Sequence, residues 1–420
     1  MEFSNFGKKM SCQAGILSLM EDLGDVHSAK GAGMIMMGGG NPGYVPEFQA
    51  IIRARLEEIC GDTRLYQRLV GTYAPAQGDQ DFVEGLAALL QKEQGWEIGP
   101  ENICLTNGSQ TAFFLLFNMF AGSCPGGREK KICLPLAPEY IGYADLGLTE
   151  DFCATTRPRI EFIGDDMFKY HIDFDRLVIG EDIGAICVSR PTNPTGNVVT
   201  DEEIGRLSRL AKGKNIPLII DSAYGLPFPG MIYTEAGTIW NKNVIACFSL
   251  SKLGLPGIRT GIVVACKDVI KALGSMNAIM SLSPTSVGAV LAQKLVSDGG
   301  IIEVSRKYIQ PFYRVKMEKA VAAVREAFSD IPCKIHKPEG AMFLWLWFEN
   351  LPITSLELYQ RLKKKGVLVV SGHYFFPGLG DDWKHRDECL RVTYSQNDED
   401  VCRGIWIIAE EVRRAYKQAG

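Results

Sequence analysis

AICVSRPTNPTGNVVTDEEIGRLSRLAKGKNIPLIIDSAYG, residues 185–225, runs from one apolar segment through a polar loop and a charged periodic stretch to a second apolar segment. AICVSR (185–190) and PLIID (217–221) are short, β-branched and largely uncharged, as strands covered on both faces must be. Between them, TDEEIGRLSRLAKGKN (200–215) carries helix signals: Thr200 can cap the first turn, and Glu203 can close a capping box. Strand, helix and strand in this order form the crossover unit of a parallel sheet.

The same rhythm extends outward. ICLT (103–106), KICLPL (131–136), VIACFSL (244–250) and GIVVAC (261–266) are further buried-strand patterns, and ICLT leads through NGSQ into an apolar helix, TAFFLLFNMF. These segments predict an α/β fold: a large domain over 46–300 with a mostly parallel sheet and helices on both faces. After about residue 300 the texture changes to a long amphipathic helix pattern (302–328), the run FLWLWF (343–348), a helix pattern (354–365), LRVTY (390–394) and a charged terminal helix (398–417). That is the pattern of a smaller α+β domain over 301–420, joined by the N-terminal segment 1–45. FLWLWF reads as core.

Composition narrows the partners. The 420 residues are 46% hydrophobic and 22% charged, with a formal net charge of −4 and no basic block, which argues against nucleic acid. The 12 cysteines lie singly with no C-x-x-C pair, the usage of reduced thiols in a cytoplasmic protein. MEFSNFGKKM has no apolar core of an export signal. The apolar block AFFLLFNMFAG is far shorter than the roughly 20 residues a membrane span needs, so no membrane is expected.

In an open α/β sheet, ligands gather beyond the carboxyl ends of the strands. Gly108-Ser109-Gln110, Pro138-Glu139-Tyr140, Asn193, Asp221 to Tyr224 and Ser249 to Lys252 share that address. A confined lysine loses its proton more readily and becomes a nucleophile toward aldehydes. Pyridoxal phosphate is the common biological aldehyde, and its ring nitrogen, 3′-oxygen, ring face and phosphate each ask for a partner. Asp221 can hold a protonated ring nitrogen, Tyr224 and Asn193 can donate to the 3′-oxygen, and Tyr140 can stack. Gly108, Ser109 and Gln110 open a helix whose N–H groups suit a phosphate, with Ser249, Ser251 and Arg259 completing the anion pocket.

Plainer readings compete. A single aspartate at a strand end is more often a cap, a lone arginine such as Arg391 more often a surface group, and Tyr140 or Tyr73 can be simple packing. S-L-S-K matches the S-x-x-K of serine β-lactamases, yet the S-D-N and K-T-G partners are absent, as is any P-loop. None of the 5 histidines has a partner at metal-ligand spacing, so no metal is expected.

GGGNP (38–42), YAPAQG (73–78), NGSQTAFF (107–114), APEYIGY (137–143), SRPTNPTGN (189–197), DSAYG (221–225), SLSKLGLPGIRTG (249–261) and LRVTY (390–394) span most of the chain. In this order they resemble the fold-type I pyridoxal-phosphate aminotransferases of the aspartate aminotransferase superfamily. MEDL (20–23), LAPEYIGYAD, ICVSRPTNPTGN and HKPEGAMFLWLWF resemble its valine–pyruvate branch in particular. The resemblance implies that Lys252 is the Schiff-base lysine, Asp221 the partner of the ring nitrogen and Arg259 a phosphate ligand. It implies that Asn193 and Tyr224 contact the 3′-oxygen, that Tyr140 stacks, and that Arg391 clamps the substrate carboxylate beside Asn193 and the loop glycine Gly40. Tyr73 matches a tyrosine that reaches the neighbouring subunit's phosphate, which implies a homodimer with shared sites. NGSQ departs from the Ser-Gly-Thr turn of the aspartate enzymes, which puts Ser109 and Gln110 in doubt.

The activity so implied is ping-pong transamination between small amino acids and 2-oxo acids, valine and pyruvate first among them. Phe6, Ile16 and Tyr44 supply apolar surface near the expected mouth. An aminotransferase of other aliphatic or aromatic specificity and a β-eliminating lyase on the same fold are the alternatives.

Overall fold

The computed structural model describes residues 1–11, 15, 17 and 33–419. Ile16, MEDL (20–23) and Cys12 lie outside them. The 185–225 unit is built as its pattern requires. The helix Asp201–Gly213 starts at Thr200, whose side chain accepts from the Glu203 N–H while Glu203 reaches back to close the box. It connects two parallel strands.

Six strands carry the centre of an eight-stranded sheet: β1 (Ile103–Thr106), β2 (Arg128–Leu134), β3 (Ile183–Ser189), β4 (Leu218–Asp221), β5 (Val244–Ser249) and β6 (Gly261–Val264). They lie in the order β1-β6-β5-β4-β3-β2, with Gly122–Cys124 and Cys153–Thr155 beyond β2. From β2 to β5 all neighbours are parallel, whereas β6 runs antiparallel to both β5 and β1. β3, β4, β5 and β6 are buried at every position, which is why their sequences are apolar throughout rather than alternating.

A second sheet of six strands packs beside the first. Cys389–Thr393 pairs antiparallel with Phe343–Trp347, and Trp345, opposite Arg391, is fully buried, so FLWLWF is core as expected. Two of its strands, Arg159–Ile163 and Met167–His171, come from the middle of the chain and join through Lys334–His336. Their half-exposed charged residues hide the strand pattern from periodicity. The 302–328 helix pattern is interrupted by a π turn at Ser305–Ile309 before Gln310–Ala327. Among the described residues no helix is long and apolar enough to cross a membrane, and no group of side chains could hold a metal ion.

Candidate active site

Register decides what meets at the strand ends. Ser189, Asp221 and Cys247 lie side by side across β3, β4 and β5, and Ser249 lies opposite Gly261, which faces Thr106. The segments leaving these strands therefore emerge at one edge of the sheet.

Asp221 is buried there. Its Oδ2 accepts from the Tyr143 hydroxyl at 2.6 Å and its Oδ1 from the Ala223 N–H at 2.9 Å. Burial raises its pKa above the ordinary carboxyl value, against those two donors and the charge of Lys252. No cationic side chain bonds to it among the described residues.

Lys252 Nζ donates to the Gly40 carbonyl at 2.7 Å and lies 5.4 Å from the centre of the Tyr224 ring. Burial, then the positive charges of Arg391 and Arg259, push its amine down to about 8, against the pull of Asp221. A cation held without a carboxylate gives up its proton most readily.

Arg391 is buried on the second sheet and points back into the first. Nη1 donates to Asn193 Oδ1 at 2.8 Å and Nη2 to the Gly38 carbonyl at 2.6 Å. The guanidinium lies 4.3 Å from the Phe343 ring centre and 5.2 Å from that of Phe375. Nε is buried with no partner, and burial lowers the pKa to about 10.

Gly108, at φ +89°, opens the helix Ser109–Phe120, and a Cβ there would strike the Arg259 guanidinium. Glycine is thus required twice, by the backbone angle and by the arginine. Ser249 Oγ accepts from the Ser251 N–H at 3.1 Å. The helix start, Arg259 and these two serines converge.

Most of the residues singled out from sequence therefore come together, but not all in the same way. Gln110 spends its side-chain amide on the Gly142 carbonyl at 2.9 Å. Tyr140 is half-buried, with its ring edge-on to Tyr143 at 5.3 Å. Tyr73 is 81% exposed and joins none of these groups within one chain. Phe6 and Tyr44 are also exposed.

Sequence inspection gave no role to Tyr143, Phe343, Phe375 or Gly38, and placed Glu139 at the strand ends without one. Tyr143 had a usable signal, since it follows Tyr140 by three residues on the short helical turn Ile141–Tyr143. The aromatic rings beside Arg391 had none.

Known proteins resemble this chain over its full length. A family model described as aminotransferase class I and II matches residues 34–405. The valine–pyruvate aminotransferase of Escherichia coli (strain K12) is 49% identical over 419 residues, covering 100% of both chains. The crystal structure of valine-pyruvate aminotransferase AvtA from Salmonella typhimurium LT2 superposes with a TM-score of 0.89 at 49% identity, over 96% of this chain and 100% of that one. An aminotransferase fold from Psychrobacter arcticum 273-4 superposes with a TM-score of 0.96 at 44% identity, over 99% of each chain.

Proposed function

The chain belongs to the class I and II aminotransferases, and on that premise we propose that it transfers an amino group from valine to pyruvate with pyridoxal phosphate as cofactor. The products are 3-methyl-2-oxobutanoate and alanine. The observation that carries the substrate is the 49% identity, over the full length, to an enzyme named for that pair.

The residues present fit the cofactor. Asp221 is a buried carboxyl with no cation bonded to it among the described residues, as the partner of a protonated ring nitrogen has to be. The helix start at Gly108, packed under Arg259, suits a phosphate. Lys252 would attach the cofactor, Asp221 would face its ring nitrogen and Tyr140 its ring. Asn193 and Tyr224 would meet the 3′-oxygen, and Gly108, Ser109, Gln110, Ser249, Ser251 and Arg259 the phosphate.

Pyridoxal phosphate supplies, when bound, a carbon that exchanges amines and a ring that accepts the electron pair left on the substrate's α-carbon. Arg391 holds the substrate carboxylate, and its buried, partnerless Nε is a donor still to be satisfied. Asn193 and the Gly38 carbonyl fix the plane of that guanidinium. Lys252 Nζ, once freed, takes the α-proton and carries it onward; an amine near 8 is matched to that task. Asp221 Oδ2, steadied by Tyr143, keeps a negative charge beside the ring. The two substrates use one clamp in turn, which gives ping-pong kinetics.

Tyr73 at 81%, Ile279 at 87% and Leu282 at 67% exposure supply apolar surface for a second copy, and we read the chain as a homodimer with shared sites. The scattered free thiols fit a cytoplasmic setting. The test is a half-reaction screen in which the reconstituted protein is mixed with single amino acids and its cofactor absorbance followed. Valine and alanine should both convert the spectrum. Conversion by aromatic donors but not by valine would overturn the substrate, and a protein that takes up no cofactor would overturn the whole reading.

A further inference from the structure

Glu139 takes no part in the proton transfers just described, yet it is 0% exposed in the middle of the site. Its Oε1 accepts from the Ser189 N–H at 2.8 Å, and its Oε2 from the Ser189 hydroxyl at 2.6 Å and the Tyr140 N–H at 3.1 Å. Its own N–H donates to the Phe375 carbonyl at 2.8 Å. Among the described residues it has no lysine, arginine or histidine in ion-pair contact. Burial chiefly, with the neighbouring Asp221 adding to it, raises the acid to about 8 against the three donors. The same burial disfavours a second negative charge next to Asp221.

The contacts of Glu139 reach three walls of the site. Ser189 lies opposite Asp221 in the β3–β4 register. Tyr140 is the next residue, and the Phe375 ring lies against the Arg391 guanidinium. Two acceptor oxygens at fixed spacing take all three donors at once, which neither an alkyl nor a hydroxyl side chain can do.

We propose that Glu139 is a positioning residue that sets, through Ser189 and Tyr140, where the Tyr140 ring lies relative to the Asp221 carboxyl, and so the shape of the slot where the flat cofactor ring enters. The assignment rests on the cofactor reading given above. It concerns the shape of the slot and not the chemistry in it.

The test strips the protein of cofactor and titrates it with pyridoxal phosphate. Absorbance of the bound cofactor and intrinsic fluorescence are read together with the thermal unfolding midpoint. Glu139→Ala leaves three buried donors unmatched and should weaken uptake about tenfold or more, with a shifted absorbance band. Glu139→Gln keeps the shape and two of the three bonds and should stay within about threefold of the original protein. Folded Glu139→Ala with unchanged affinity and band would overturn the proposal, as would a lower unfolding midpoint with unchanged uptake. Should Glu139→Ala not fold, Ser189→Ala, which removes one donor, should weaken uptake about threefold, and unchanged uptake there would overturn it equally. A wild-type protein that takes up no cofactor would instead sink the cofactor reading itself.

Discussion

Lys252 and Lys169 are both lysines drawn out of water, and the protein treats them oppositely. Lys169, on the strand Met167–His171, pairs with the Glu339 carboxylate and donates to the Val198 carbonyl at 3.1 Å. The two side chains of that pair are 7% and 5% exposed. Lys252, at the strand ends of the first sheet, meets a carbonyl and no carboxylate among the described residues. The arginines repeat the contrast in their charge partners: Arg190 is paired with Asp201 at 2.5 Å, while Arg391 has only amide and peptide oxygens, and the Nε of each is bare. A buried cation with its carboxylate already in place joins parts of the fold together. One without it is held ready for a ligand, at a cost the rest of the fold offsets.

That contrast can be broken most decisively at Lys252. Lys252→Ala should lower the single-turnover rate of the valine half-reaction by about 10⁴-fold, the upper range for a general acid–base group, with the folded state intact. Borohydride reduction of the wild type followed by peptide mapping should put the adduct on Lys252. An adduct on Lys169, or near-normal turnover in the variant, would erase the distinction. Lys169→Met should do the reverse, costing roughly 1–3 kcal/mol in urea unfolding, because buried Glu339 loses its Lys169 partner and keeps only Lys337 at 2.9 Å and the Val198 N–H at 3.2 Å. Its turnover per folded molecule should change little. A variant as stable as the original would show that the pair holds nothing together.

The smallest effect sharpens the contrast through pH. The Lys252 amine titrates near 8 in the cofactor-free protein, and only the neutral amine attacks an aldehyde. The rate of cofactor capture should therefore climb about tenfold per pH unit below 8 and level off above it. A rise that continues to pH 10 would mean that burial has not lowered this amine.

Much of the site was legible because it is written locally. Strand ends are marked by a change from apolar to polar residues, so Asp221, Ser249 and Lys252 announce themselves along the chain. Gly108 is marked by its place between a strand and a helix. Glu139 was legible as a strand-end residue but its role was not, and Phe343 and Phe375 were not legible at all, because an acid among apolar residues and a phenylalanine in a strand have ordinary uses everywhere. Their roles come from what lies opposite, and the distances involved join positions 139 to 189 and 343 to 391. The Arg159–His171 hairpin escaped for a related reason, since its partner strand begins at Lys334.

The strand–helix–strand unit at 185–225, the parallel centre of the first sheet and the place of Lys252 at a strand end were determined by the sequence alone, because each depends on periodicity and on neighbours a few residues away. The tertiary structure alone decided that Lys252 bonds to no carboxylate among the described residues, that Tyr143 steadies Asp221 and that Lys169 is neutralised by Glu339. Those are facts of pairing in a medium that screens charge poorly. There a charge's behaviour is set by the atoms within a few ångströms of it, whatever their distance along the chain.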